Sequence, residues 1–157
     1  MNLLIIDDVI QNPKEYVSDI LSVGFQDVFD KDKVFKGMQP RSYDDEFSKQ
    51  VLSLFPDYKV MWNFVRQSPY GQEEPNYIHT DEMMGDITVI LYLNEKPPST
   101  DGTTLYDSEG KQACVVSSKY NRMIAFDSIT AHSRNIFKNF GVGNDARLIQ
   151  VIFLKEK

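Results

Sequence analysis

The apolar pattern of the chain changes character near Pro56. Before it, the periodicity is that of helices. After the short apolar run Leu3 to Ile6, which predicts a strand, Asn12, Pro13 and Glu15 announce a helix start. They supply an N-cap, a proline where the first helical N–H would go unpaired, and an acid in the first turn. Val17, Ile20 and Leu21 then recur at i, i+3 and i+4, which gives that helix one apolar stripe. A second helix is predicted to run through Leu54, capped by Ser42 or by one of the two aspartates after it. Phe47, Val51, Leu52 and Leu54 are available for burial, and Pro56 ends it.

Beyond Pro56 the residues alternate as strands do. Runs rich in β-branched and aromatic residues occupy Lys59 to Arg66, Tyr77 to Asp81, Asp86 to Asn94, Thr103 to Tyr106, Gln112 to Ser117, Arg122 to Phe126, His132 to Phe137 and Arg147 to Leu154. Turn formers separate them, including Glu109-Gly110 and the glycines between Phe140 and Asp145. This spacing predicts a sandwich or barrel of about eight strands. The chain shows no repeat, low-complexity tract or linker, so one domain over residues 1–157 is expected, with helical support in 1–56 and a β core in 57–157.

Composition narrows the class. With 157 residues, 41% hydrophobic and 25% charged, the chain suits one globular domain. A net charge of -6 gives no general attraction for nucleic acid or anionic membrane, so neither is an expected partner. No apolar run is long enough to span a bilayer, and Asp7 and Asp8 interrupt the opening segment where a signal peptide would be apolar. A single cysteine, Cys114, leaves no internal disulfide and fits a cytoplasmic setting.

The candidate chemistry begins with the histidines, of which the chain has two. His79 and Asp81 are two residues apart on an extended run, so their side chains share a face. His132, from a distant strand, would complete two imidazoles and a carboxylate, a set that leaves metal positions open to other ligands and suits Fe(II). Taken singly, His79 and Asp81 also fit a polar turn, and His132 a structural histidine. Arg147 falls on the strand face shared by Ile149, Val151 and Phe153, where a guanidinium needs an anion: an acid of this chain or a dicarboxylate ligand. Tyr92, on the face of Thr88 and Ile90, could donate to the same carboxylate. Asn63 is a further candidate for that ligand. Arg66, Tyr77 and Tyr106 lie in or beside loops that could rim a site, and Glu73 and Glu74 read as a solvated turn.

Taken in order, His79-Thr80-Asp81, Ile90 to Asn94, Asp101 to Tyr106, Met123 to Phe126, His132 and Arg147 resemble the Fe(II)/2-oxoglutarate-dependent dioxygenases, nearest the prolyl-hydroxylase-like branch. The resemblance covers Tyr77 to Leu154. It implies a double-stranded β-helix, or jelly roll, with the N-terminal helices packed on one outer sheet. It implies that His79, Asp81 and His132 hold iron, and that Arg147 with Tyr92 holds the far carboxylate of 2-oxoglutarate. The implied reaction uses O2 to hydroxylate an unactivated C–H of a peptidyl residue or a small molecule, releasing succinate and CO2. Retention of Asp81 points to hydroxylation rather than halogenation. The alternative is a jelly-roll binding module, or degenerate oxygenase, without chemistry.

Three positions depart from the family pattern. The interval from His132 to Arg147 is long, which implies a hairpin extension through Asn139 to Asp145 unless Arg134 is the anchor. Asp101-Gly102 replaces a glycine pair. Asn121 replaces a turn glycine, a mild change because asparagine tolerates the left-handed conformation.

Overall fold

The structure, a computed structural model, describes residues 2–74 and 76–157. In chain order the elements are β1 (Leu3–Ile6), α1 (Pro13–Val23), β2 (Gln26–Asp30), β3 (Lys33–Pro40), α2 (Glu46–Leu54), β4 (Tyr58–Ser68), β5 (Ile87–Tyr92), β6 (Gly102–Tyr106), β7 (Gln112–Ser117), β8 (Arg122–Asp127), β9 (His132–Arg134) and β10 (Arg147–Glu156). A seven-stranded sheet runs β1-β8-β5-β10-β4-β3-β2, and a three-stranded sheet runs β7-β6-β9. The strand pairs are antiparallel, as a jelly roll requires. Among the described residues no helix is long and apolar enough to cross a membrane.

Strand alternation divides the interior into two cores. Val89 and Leu91 on β5, with Leu148, Ile152 and Leu154 on β10, turn toward Ile20 of α1 and toward Phe47 and Val51 of α2. Ile90 and Tyr92, with Ile149, Val151 and Phe153, turn the other way, toward Leu105 and Val116 of the small sheet. Both helices therefore pack on the outer face of the large sheet, and β10, covered on both sides, is buried from Arg147 through Leu154.

Local signals explain the helix ends. Pro13 occupies the first turn of α1, but the Asn12 side chain donates to Glu15 Oε2 at 2.9 Å instead of capping the backbone. At α2 the cap is Asp45, whose Oδ1 accepts from the Ser48 N–H at 2.8 Å, which decides among the three predicted candidates. The helix ends before Pro56, as expected.

The structure departs from the sequence reading in three places. Residues 26–40 form the β2–β3 hairpin, which adds two unpredicted strands to the large sheet from a region read as mainly helical, whereas β1 is the strand expected at Leu3 to Ile6. The run Tyr77 to Asp81 is no strand; His79 alone makes a bridge, to His132. The segment before Arg147 is an irregular loop with a single 3-10 turn at Gly143–Asp145, not a hairpin.

Gly102 sits at φ 151°, and a Cβ there would lie 1.9 Å from the Val116 carbonyl oxygen of the paired strand. The second glycine of the family pair is thus required by the β6–β7 pairing. Gly102→Ala is expected to destabilise the fold by about 2 kcal/mol or more, through strain at a glycine-specific conformation and displacement of β7. Urea unfolding would measure it, and a change near zero would show that β7 yields freely.

Candidate metal and carboxylate site

The site begins with a backbone arrangement. His79 and His132 face each other antiparallel and exchange two hydrogen bonds, His79 N–H to His132 O at 3.1 Å and His132 N–H to His79 O at 2.9 Å. Their rings therefore project from adjacent chain segments onto one face, with centroids 4.4 Å apart. Asp81 follows at the next same-face position, fixed by its N–H bond to Ser128 O at 2.8 Å. Thr88 Oγ1 donates to Asp81 Oδ2 at 3.1 Å and orients the carboxylate.

The donor atoms converge. Asp81 Oδ1 is 3.5 Å from His79 Nε2, and Asp81 Oδ2 is 3.1 Å from His132 Nε2. One donor atom from each residue lies within 4.8 Å of the others. Nδ1 of His132 lies 3.0 Å from the Thr130 carbonyl and Nδ1 of His79 3.4 Å from the Tyr77 carbonyl, contacts that only an N–H satisfies. With the proton on Nδ1, both Nε2 lone pairs point at the shared centre, the arrangement in which imidazoles bind metal. The edge-on ring of Phe126, 4.8 Å from His132, closes the floor.

Burial is uneven: the side chains of His132 and Asp81 are 6% and 12% exposed, that of His79 36%. Burial, and the repulsion that two protonated imidazoles side by side would feel, hold His79 below the ordinary histidine range, despite Asp81. Burial would raise Asp81, yet in the metal-free protein a proton on His132 Nε2 hydrogen-bonds its Oδ2, and this bond, the charge the imidazoles carry when protonated and Thr88 together hold it below the usual carboxylate value; a metal ion takes the place of that proton. The imidazole is thus kept neutral and the carboxylate ionised, as metal binding demands.

Arg147 opens β10 on the inner face, as the alternation predicted, and its side chain is 6% exposed. Its Nε stands 3.6 Å from Asp101 Oδ1, beyond hydrogen-bond length, and among the described residues neither atom has a hydrogen-bond partner. Tyr92, on the neighbouring strand, is fully buried and shares a 2.6 Å hydrogen bond with Thr103 Oγ1; burial pushes its hydroxyl pKa up to about 12, so it remains a donor. Arg134 also turns inward, two residues past His132 on the same face of β9. Burial and the nearby charge of Arg147 push its pKa down to about 10.

The rim candidates separate. Arg66 pairs with Glu74 Oε1 at 2.7 Å, and Tyr77 donates to the Arg134 carbonyl and packs edge-on against Phe137 at 5.0 Å, both on the site side. Tyr106 is not brought there. Its hydroxyl bonds Ser133 Oγ at 2.9 Å, and the Ser133 side chain alternates away from His132, so Tyr106 lies on the outside of the small sheet. Asn63 faces the helices, donating to Ser48 Oγ and Ser42 O, while Phe64 takes the inner face against Phe153. The sequence reading missed Asp101, Thr88 and the burial of Glu74. Only Asp101 left a signal, as a charge where the family pattern has glycine.

No protein-family model and no curated protein matches the sequence. Solved structures do match. A prolyl hydroxylase from Trichoplax adhaerens, in complex with a hypoxia inducible factor oxygen degradation domain peptide fragment, superposes with a TM-score of 0.68 at 17% identity, over 96% of this chain and 82% of that one. HygX from Streptomyces hygroscopicus, with nickel and 2-oxoglutarate bound, gives 0.64 at 9% identity, over 96% and 80%. A 2OG-Fe(II) oxygenase family oxidoreductase from Burkholderia pseudomallei gives 0.62 at 11%, over 97% and 84%. The chain therefore has the double-stranded β-helix fold of the Fe(II)/2-oxoglutarate oxygenases, with a His-Asp-His group on its inner face.

Proposed function

We propose that the chain is an Fe(II)- and 2-oxoglutarate-dependent dioxygenase, and that residues 1–157 form its single catalytic domain. The observation that carries this reading is the conjunction of two features of the inner face: two imidazoles and a carboxylate offer donor atoms within 4.8 Å of one another, and the buried Arg147 guanidinium, whose Nε has no hydrogen-bond partner among the described residues, opens β10. The donor set fits Fe(II), which accepts imidazole and carboxylate and leaves room for a chelating cosubstrate and O2. A four-ligand structural zinc site would need further Cys or His, and the chain has one cysteine and no third histidine.

When bound, iron would supply the oxidising chemistry, with O2 as oxidant and 2-oxoglutarate as co-reductant: one oxygen atom goes to an unactivated C–H as a hydroxyl and the other to succinate, with release of CO2. The residues of this chain then have limited tasks. His79, Asp81 and His132 hold the metal on one side. Arg147, with Tyr92 beside it, receives the far carboxylate of 2-oxoglutarate through paired N–H groups. Ile90, Val151 and Phe153 wall the inner face with apolar surface and keep water from the reacting centre. No residue is assigned as a general acid or base. Of the rim candidates, Tyr77, two residues before the half-open His79, is the one assigned to meet the substrate, a peptidyl residue or a small molecule, while Arg66 is engaged by Glu74. A cytoplasmic setting suits this reading, since it would keep Cys114 a thiol.

Arg147→Met is expected to weaken 2-oxoglutarate binding about tenfold or more, the scale for losing a charge-assisted bidentate contact, while leaving Fe(II) affinity unchanged. The visible band of the anaerobic Fe(II)/2-oxoglutarate chelate would measure both. Its absence in folded, iron-loaded wild-type protein would overturn the function, and unchanged affinity in the variant would overturn the anchor.

A further inference from the structure

The carboxylate end of the site holds more positive charge than one anchor explains. Arg66 is matched by Glu74 at 2.7 Å, and Glu74 stands 3.8 Å from Arg134. Among the described residues, Arg66, Arg134 and Arg147 are thus met by two acids, Glu74 and Asp101, which leaves one positive charge in excess where the side chains of Arg134, Arg147 and Asp101 are 11%, 6% and 2% exposed. Like charges buried together are costly unless an anion joins them. Both arginines also retain unused donors: among the described residues, Arg134 Nε and Nη1 and Arg147 Nε are buried without a hydrogen-bond partner. Their placement is mutual. Arg134 is directly opposite Thr103 in the β6–β9 register, Thr103 is bonded to the Tyr92 hydroxyl, and Tyr92 is opposite Ile149, two residues along the inner face from Arg147.

We infer that Arg134 is a second anchor for the cosubstrate, and that the far carboxylate of 2-oxoglutarate lies between Arg134 and Arg147, with Asp101 as the buried counter-charge beside Arg147. This rests on the proposed function. One carboxylate brings the set of Arg134, Arg147 and Asp101 to neutrality, and it supplies acceptors for the unused N–H groups. It also accounts for the two chain features together: Asp101, where the family pattern has glycine, places a negative charge against the usual anchor, and Arg134 restores the balance. Asp101 by itself would oppose an incoming anion. Arg134 is thus a positioning and specificity residue whose task is to let a dicarboxylate bind beside a buried aspartate.

The test is anaerobic titration of Fe(II)-loaded protein with 2-oxoglutarate, followed by the visible band and by calorimetry. Arg134→Met is expected to weaken binding about tenfold or more, Arg134→Lys less, since lysine keeps the charge and loses the fork. Asp101→Asn introduced into Arg134→Met is expected to recover part of the loss, because it returns the pocket to one excess positive charge. A purely structural arginine would not be rescued by removing an acid. Wild-type affinity in Arg134→Met, or in Arg134→Lys should the methionine variant fail to fold, would overturn the second anchor, as would the absence of rescue. Failure of wild-type protein to bind 2-oxoglutarate would instead overturn the function itself.

Discussion

Replacing His132 with alanine is expected to lower Fe(II) affinity by on the order of a hundredfold or more, since even loss of a group that merely supports a ligand costs about ten- to a hundredfold. His132 is the buried member of the triad, with its Nε2 3.1 Å from Asp81 and its Nδ1 fixed on Thr130. Without it, one imidazole and one carboxylate remain, and the half-exposed His79 is the weaker of the two histidine positions. The backbone bonds between residues 79 and 132 use no side-chain atom, so the variant keeps the frame on which the site is built. Anaerobic titration with Fe(II) would measure the loss; an affinity equal to that of the wild type would show that the three donors do not act as one site.

The largest effect on stability is expected on β10, on the face opposite Arg147. Gln150 is completely buried, donating from Nε2 to Asn63 Oδ1 at 2.7 Å and Asp45 Oδ2 at 3.0 Å, and accepting from the Tyr16 hydroxyl at 2.6 Å. One amide thereby joins α1, the cap of α2, β4 and β10. Gln150→Leu keeps the volume but strands the Asn63 carbonyl oxygen and weakens the satisfaction of Tyr16, each such group costing about 1–3 kcal/mol. A loss of about 3 kcal/mol is therefore expected, a sizeable share of the roughly 5–15 kcal/mol that holds such a domain together. Urea unfolding would measure it, and a loss below about 1 kcal/mol would mean that the network relaxes around the leucine.

The site was legible where local rules decide and opaque where distant residues do. With two histidines in the chain, and a strand period of two, the His79, Asp81 and His132 grouping needed little more than order. The inner face of β10 was readable because Arg147 interrupts an otherwise apolar alternation. β4 was not: Phe64 and Val65 are both apolar, so sequence could not say which face met the helices, and Asn63, a candidate for the carboxylate ligand, turns to the helices instead. The β2–β3 hairpin escaped because its apolar residues stay wet, Phe29 being 73% exposed, amid Asp27, Asp30, Lys31, Asp32 and Lys33. Such charge on an edge hairpin discourages pairing with other chains and also hides the strand pattern. Glu74 and Asp101 meet their arginines only across long loops, which no local pattern encodes.

The reciprocal backbone bonds between His79 and His132 separate the frame of the site from its donors. The main chain holds the two positions face to face whatever side chains they bear, so the donors are exchangeable parts on a fixed mount. Ligand identity at 79 and 132 can therefore change, by drift or by design, without the register of β9 having to be found again. A new coordination chemistry would need only new side chains, delivered to geometry that already exists.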